Sequence, residues 1–382
     1  VAPDPSAEPS PDGLAIKSAV RISEQHDVNR EVQSRLSPEL LDRVRREAEM
    51  ALLGGERKYT RDEVSELTGV SLEHTAALWT AMGFAISPDP TERNYTDADV
   101  EALRGLSQLA QIGVLTTDIE GAMVRATAQA MSRMAEWQVS LMIRHLGQEL
   151  LANQPDDGQV QFAEEFVVDS VHRATEFMLP LMQSLQTHVW RRHLAAAVER
   201  TVVRASDSNE TQLLAIGFAD MVGYTHLTRR IDVGSLTDLL EDFESTATRV
   251  IAENHGWIIK NLGDEVMFAV TNPDDAAAIG LALQDAIKSL DDLPMIRVGM
   301  AYGPVLLRFG DAFGSVVNIA ARLTSSAKPG TVLIDNALND ALSEDGAVET
   351  RSLRPLKVRG FSKLRPHLLR HRKHPERGDV AE

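Results

Sequence analysis

Lys260, Asp264 and Glu265 put one cation and two carboxylates within six residues of the stretch IIKNLGDEVMFAV, Ile258 to Val270. Short apolar runs flank Leu262-Gly263-Asp264, the pattern of a β-hairpin with glycine at its strained position. Charge gathered at the tip of an apolar hairpin can do chemistry, but a Gly-Asp pair can equally make only a turn, with the lysine solvated. Upstream, Leu213 to Phe218 (LLAIGF) is a continuous apolar run suited to a central strand. It ends at Asp220, before Met221-Val222-Gly223-Tyr224-Thr225. An aspartate there, followed by glycine and free amides at a helix start, suits a cation-bound polyphosphate. The carboxylate takes the cation and the amides meet phosphate oxygens. Downstream, Asn318 and Arg322 are four apart, so amide and guanidinium share a helix face and can reach one anionic centre; a surface hydrogen bond would use the same spacing.

The elements that must position these residues alternate in type. The strand at Leu213 precedes an amphipathic helix from about Gly234 to Asn254, then the hairpin, then a helix from Asn272 to about Leu290. Ile296 to Tyr302 is a strand that Gly303-Pro304 should turn. Arg308-Phe309-Gly310-Asp311 follows, then the helix bearing Asn318 and Arg322, a strand at Thr331 to Ile334, and a tail from Ala347 to Arg370 that alternates enough to complete a sheet.

The first half is helical. A Pro- and Ser-rich start reads as a tail, taken as 1–35, and helices follow over 36–200. Ser37-Pro38 opens one helix, Thr60 with Glu63 forms a capping box, Gly69 breaks between two short helices and Ser71 caps the second. The stretch 59–113 resembles the helix-turn-helix and next helix of MerR-type transcription regulators. Its second helix, SLEHTAALWTAMG, has no Arg or Lys, and Lys58 to Gly105 holds four basic residues against nine acidic ones, which disfavours DNA. Helical periodicity resumes at Thr117, breaks at Asn153 to Gln159, and continues in a linker helix over 160–203 that Pro180 should kink or split. His188 and His193 lie in that linker. Imidazoles titrate near neutrality and could switch its packing, although solvated histidines on a helix are the commoner case.

Composition narrows the classes. The 382 residues are 43% hydrophobic, enough for two or three domains with cores, and carry a formal charge of −17. A broad nucleic-acid or anionic-membrane surface is disfavoured, so an anionic ligand must be held by a metal or a few local cations. Without cysteine, thiolate metal sites and Cys nucleophiles are excluded. No signal peptide or apolar run of spanning length is apparent, which makes the cytoplasm the default expectation.

FADMVGYT, KNLGDEVMF and FGDAFGSVVNIAAR, in that order and separation, resemble the catalytic domain of class III adenylyl cyclases over roughly Leu213 to Leu342. The resemblance implies an α+β chain: an all-α N-terminal regulatory domain, then a ferredoxin-like βαββαβ catalytic domain within 205–382. It further implies that Asp220 and Asp264 hold two Mg or Mn ions, Lys260 and Asp311 select adenine, Asn318 and Arg322 serve the transition state, and Arg308 binds phosphate. Gly223, Tyr224 and Thr225 would line the substrate. The implied reaction converts ATP to 3′,5′-cyclic AMP and pyrophosphate at sites shared across a homodimer. A guanylyl cyclase should differ at Lys260 and Asp311, and a GGDEF-type cyclase should carry a second glycine and a phenylalanine in the hairpin. The N-terminal half is similar to the regulatory domain of a mycobacterial cyclase subgroup tuned by pH and, in some members, fatty acids. The competing expectation is a MerR-like DNA-binding regulator with a degenerate nucleotide-binding domain.

Overall fold

A computed structural model of the chain describes residues 32, 36–152, 162, 164–202, 211–290, 293–344, 347–358 and 361–372; the expected tail and the break at Asn153 to Gln159 lie outside them. The described residues divide into two compact units, within 23–207 and within 208–382.

The first unit is helical. Helix α1 (Pro38–Leu53) opens on Ser37, whose hydroxyl accepts from Leu40 N–H, and closes on Gly54 at φ 71°, a left-handed cap that costs glycine least. Helix α2 (Arg61–Thr68) has the expected Thr60–Glu63 capping box, α3 (Leu72–Ala81) is capped by Ser71, and α4 (Asp97–Gln111) adds a second box from Thr96 and Asp99. Val64, Leu78, Tyr95, Val100, Leu103 and Val124 bury together, so these short helices share one core with the start of α5 (Thr117–Ala152). Helix α6 (Glu164–Val202) passes through Pro180 without being split. A proline removes one helical hydrogen bond, and the 39-residue length leaves ample hydrogen-bonded helix on either side.

The second unit builds βαββαβ from β1 (Gln212–Met221), α7 (Tyr224–Leu227), α8 (Val233–Glu253), β2 (Trp257–Asn261), β3 (Glu265–Val270), α9 (Pro273–Lys288) and β4 (Ile296–Arg308), α7 being one short turn ahead of α8. After β4 come β5 (Asp311–Phe313), α10 (Ser315–Ser326), β6 (Val332–Ile334), α11 (Asn336–Ala341), β7 (Val348–Ser352), β8 (Leu356–Val358), β9 (Phe361–Leu364) and β10 (His367–His371). The main sheet runs β2-β3-β1-β4-β6-β10-β7, while β8 and β9 pair only with each other. Its first four strands have the ferredoxin-like order expected from the sequence, and β1 is central and almost wholly buried.

Each sheet face has its own core, as period-two alternation requires. Ala215, Ala219, Val266, Phe268 and Val270 pack on one face with Phe243 and Ala247 of α8 and Ala276 and Ile279 of α9. Leu214, Ile216, Phe218, Met267 and Ala269 pack on the other with Val316 and Ala320 of α10 and Ala312 of β5. Gly303-Pro304 does not end β4 as expected. The strand pairs with β1 through Val305 and then with β5 from Leu306, and because β6 accompanies it only over Val298 to Met300, Pro304 interrupts no ladder with that neighbour.

Candidate active site

The strand ends and one helix bring most of the chemistry-bearing residues to a single face. Asp220 stands opposite Glu265 in β3 and Arg297 in β4, so these three share a row across adjacent strands. By alternation from Phe218 and Met267 that row belongs to the α10 face. A register shift between Ile258 and Lys260 in β2 puts Lys260 opposite Met267, on the same face, while Ile259 packs there as well. The bulge thus decides which way the lysine points.

Lys260 Nζ donates to both oxygens of Asp311, at 2.9 and 2.8 Å, joining positions 51 residues apart. Burial alone would raise the Asp311 carboxyl, but the Lys260 hydrogen bond and the Ala312 N–H outweigh it and hold the group below the usual carboxylate range. Asp311 closes a two-residue turn, Arg308 being its cross-strand partner. Phe309 and Gly310 both have positive φ, 52° and 80°, as a type I′ hairpin demands, and the exposed Arg308 guanidinium lies 5.0 Å over the Phe309 ring.

Asp264 follows Gly263, which takes φ 75° in the tight turn between β2 and β3, and Leu262 N–H closes that turn on the Glu265 carbonyl at 2.7 Å. Met221 N–H donates to the Asp264 carbonyl at 3.0 Å, tying the end of β1 to the hairpin. Burial, then the neighbouring Asp220, push the Asp264 carboxyl above its ordinary value. Glu265 is raised in the same way by burial, Asp220 and Asp264. Three carboxylates crowd one end of the sheet, and Arg297 Nε, 2.5 Å from Asp220 Oδ2, is the nearest balancing charge.

This donor set fits a hard divalent cation. Carboxylate oxygens are what Mg and Mn prefer, and the residual negative charge is what a cation would neutralise. Among the described residues no three acidic, His or Cys side chains converge at ligand spacing. Asp220 and Asp264 would therefore supply two ligands, leaving backbone, substrate and water to complete each shell.

Gly223, at φ 81°, opens the turn after β1; Tyr224 packs partly against the core and Thr225 is exposed. Asn318 and Arg322 lie on the exposed face of α10, with no side-chain hydrogen bond or ion pair among the described residues. Neither meets Lys260, Asp311, Asp220 or Asp264 within the chain. His188 and His193 are exposed on α6, also without such partners among the described residues. Sequence reading missed Arg297 and left Glu265 unassigned. The available signal was an arginine inside the apolar run IRVGMAY.

Residues 206–371 match the model of the adenylate and guanylate cyclase catalytic domain. An adenylate cyclase of Streptomyces coelicolor is 39% identical over 293 residues, 76% of this chain and 73% of that protein. The chain belongs to the class III cyclase family. An adenylate cyclase of Streptomyces griseus is 36% identical, covering 87% of this cyclase and 79% of the relative, and a pH-sensitive adenylate cyclase of Mycobacterium tuberculosis is 28% identical over 77% and 72%. The crystal structure of the adenylyl cyclase CyaB from P. aeruginosa aligns with a TM-score of 0.39 and 24% identity, covering 43% of this chain and 96% of that one. The aligned relatives extend well beyond the catalytic segment, so the likeness includes part of the helical unit.

Proposed function

We propose that this cyclase converts ATP to 3′,5′-cyclic AMP and pyrophosphate at two equivalent sites shared between two copies of the chain. The Lys260–Asp311 pair carries the reading. Adenine offers an exocyclic amino donor beside a ring-nitrogen acceptor, and an acceptor carboxylate next to a donor ammonium complements that edge, whereas guanine reverses the pattern. The adenylate cyclases among the relatives support the same substrate.

Asp220 and Asp264 would hold two Mg or Mn ions, which when bound lower the pKa of the ribose 3′-hydroxyl and neutralise phosphate charge. The chain's own residues would do the rest. Lys260 and Asp311 fix the base, and the turn at Gly223, Tyr224 and Thr225 lies beside the polyphosphate. Asn318 orients the ribose, Arg322 stabilises charge growing on the α-phosphate, and Arg308 contacts phosphate. The exposed, unpartnered state of Asn318 and Arg322 supports a site completed by a second copy, with the carboxylates from one chain and the α10 residues from the other. In the same reading the helical unit restrains or aligns the catalytic pair, with the 187–203 segment carrying the change and proton or fatty acid as the signal.

Mixing an Asp220→Ala chain with an Asn318→Ala chain tests the shared site. Random pairing should restore about a quarter of wild-type activity, because half the dimers are mixed and each has one intact site. No recovery in verified mixed dimers refutes it. Assays with ATP and GTP, Mg and Mn, across about pH 5 to 8 test substrate and regulation together.

A further inference from the structure

Arg297 is the charged group that no part of the reaction above uses. It projects from β4 directly opposite Asp220, its side chain 34% exposed and that of Asp220 13% exposed. Its Nε reaches Asp220 Oδ2 at 2.5 Å, and its Nη1 reaches the Ser325 carbonyl, near the C-terminal end of α10, at 3.4 Å. The guanidinium is thus fixed from two sides, one a carboxylate and the other a helix end whose carbonyls attract cations. A carboxylate row with Glu265 opposite Asp220 and Asp264 next in the chain would otherwise repel itself. Arg297 opposes the upward push on both Asp264 and Glu265.

We infer that Arg297 is a built-in counter-cation for the metal-binding carboxylates: it holds Asp220 in place before a divalent cation arrives and competes with that cation for the Asp220 carboxylate. The inference rests on the reading of Asp220 as a metal ligand. Occupying one oxygen of Asp220 has two opposite effects. The carboxylate end of the sheet stays folded and aligned without metal, and the apparent affinity for the first cation is lowered, since a hydrogen-bonded, partly buried ion pair must loosen for the cation to bind. Arg297 is therefore a positioning residue whose removal should separate stability from metal affinity.

The test uses full-length wild-type, Arg297→Gln and Arg297→Lys chains, stripped of divalent cations and melted over a Mn²⁺ series with no nucleotide present. Arg297→Gln should melt at least about 3 °C below wild type without metal. Mn²⁺ should restore most of that loss, with a half-saturating concentration at least about threefold lower than for wild type. Arg297→Lys should fall between the two. An equal metal-free melting temperature, a deficit that Mn²⁺ does not repair, or an unchanged or raised half-saturating Mn²⁺ overturns the inference. If the glutamine variant does not fold, the lysine variant decides by the same Mn²⁺ readout. A wild-type chain whose melting ignores Mn²⁺ would instead refute the metal-ligand reading of Asp220, a result distinguishable from failure of the Arg297 role alone.

Discussion

Lys260 grips both carboxylate oxygens of Asp311 across 51 residues of sequence, so the two groups proposed to read the base are already oriented by each other. Each should matter for choosing the base more than for folding. Asp311→Ala should lower kcat/KM for ATP by about 100-fold, the cost of leaving a base amino group unpaired, while GTP turnover falls much less. Steady-state kinetics with both nucleotides measure the ratio, and an equal loss for both would remove base selection from this pair.

Gly299 is the contact point between β4 and α10. A Cβ added there would sit 2.1 Å from the Thr324 backbone nitrogen, and backbone cannot swing aside as a side chain can. Gly299→Ala should therefore cost about 3 kcal/mol and push α10 off the sheet, taking Asn318 and Arg322 with it. Denaturant unfolding and activity should fall together; a variant as stable as wild type would show that the helix has room to move.

Asp335 reports on pH. It is 6% exposed, caps α11 by accepting Leu338 N–H at 2.9 Å, and also accepts Tyr302 N–H at 3.2 Å. Burial outweighs these bonds and pushes its carboxyl up to about 6. A raised carboxyl binds its proton more tightly folded than unfolded. Its stabilising contribution is full below the unfolded value and is lost as pH rises through about 6. Asp335→Asn keeps the shared acceptor oxygen and removes the buried charge. It should be more stable than wild type by roughly 1–2 kcal/mol near pH 7.5 and about equal near pH 4. Urea melts across that range provide the check, and parallel pH curves for the two chains would refute the assignment.

The helix-turn-helix segment should not bind DNA. Lys58 pairs with Asp97 at 2.5 Å, Arg93 pairs with Glu63 at 3.1 Å, and Arg104 donates to the Leu67 carbonyl at 2.9 Å. Three of the four basic residues counted in the sequence are thus spent inside the module. Fluorescence anisotropy with duplex DNA at about 50 and 200 mM salt should show no binding; a salt-dependent rise would revive the regulator reading.

The proposed regulatory role of the helical unit predicts that a fragment of residues 205–382 differs from the full chain in rate or pH profile. His188 and His193 are exposed on α6, so His188→Ala with His193→Ala should flatten any difference that arises from their charging. Identical profiles for fragment and full chain would exclude regulation by this unit.

Local chemistry was legible wherever it controls conformation. The capping boxes at Thr60 and Thr96, the glycine at 263 and the apolar β1 run announce their elements because one or two residues set the backbone there. The candidate residues were equally readable, since three motifs in fixed order carry them. The course of β4 was not. Gly303-Pro304 looks like a turn until β1 and β5 are seen to accompany the strand on either side of it, information that lies in register rather than in sequence. Arg297 was missed for the same reason, because its meaning depends on Asp220 lying across the ladder, 77 residues away.

The register shift in β2 has a consequence for how such chains change over time. Lys260 meets Asp311 because one extra residue in the strand turns it toward α10. Deleting Ile259 would leave every letter of the KNLGDEVMF motif intact and rotate the lysine to the opposite side of the sheet, among the apolar side chains of α8 and α9. A descendant with that deletion would look like a cyclase to any comparison of letters and be deaf to its base. Here the phase of the strand is inherited information in its own right, and an indel one residue long can erase what no substitution has touched.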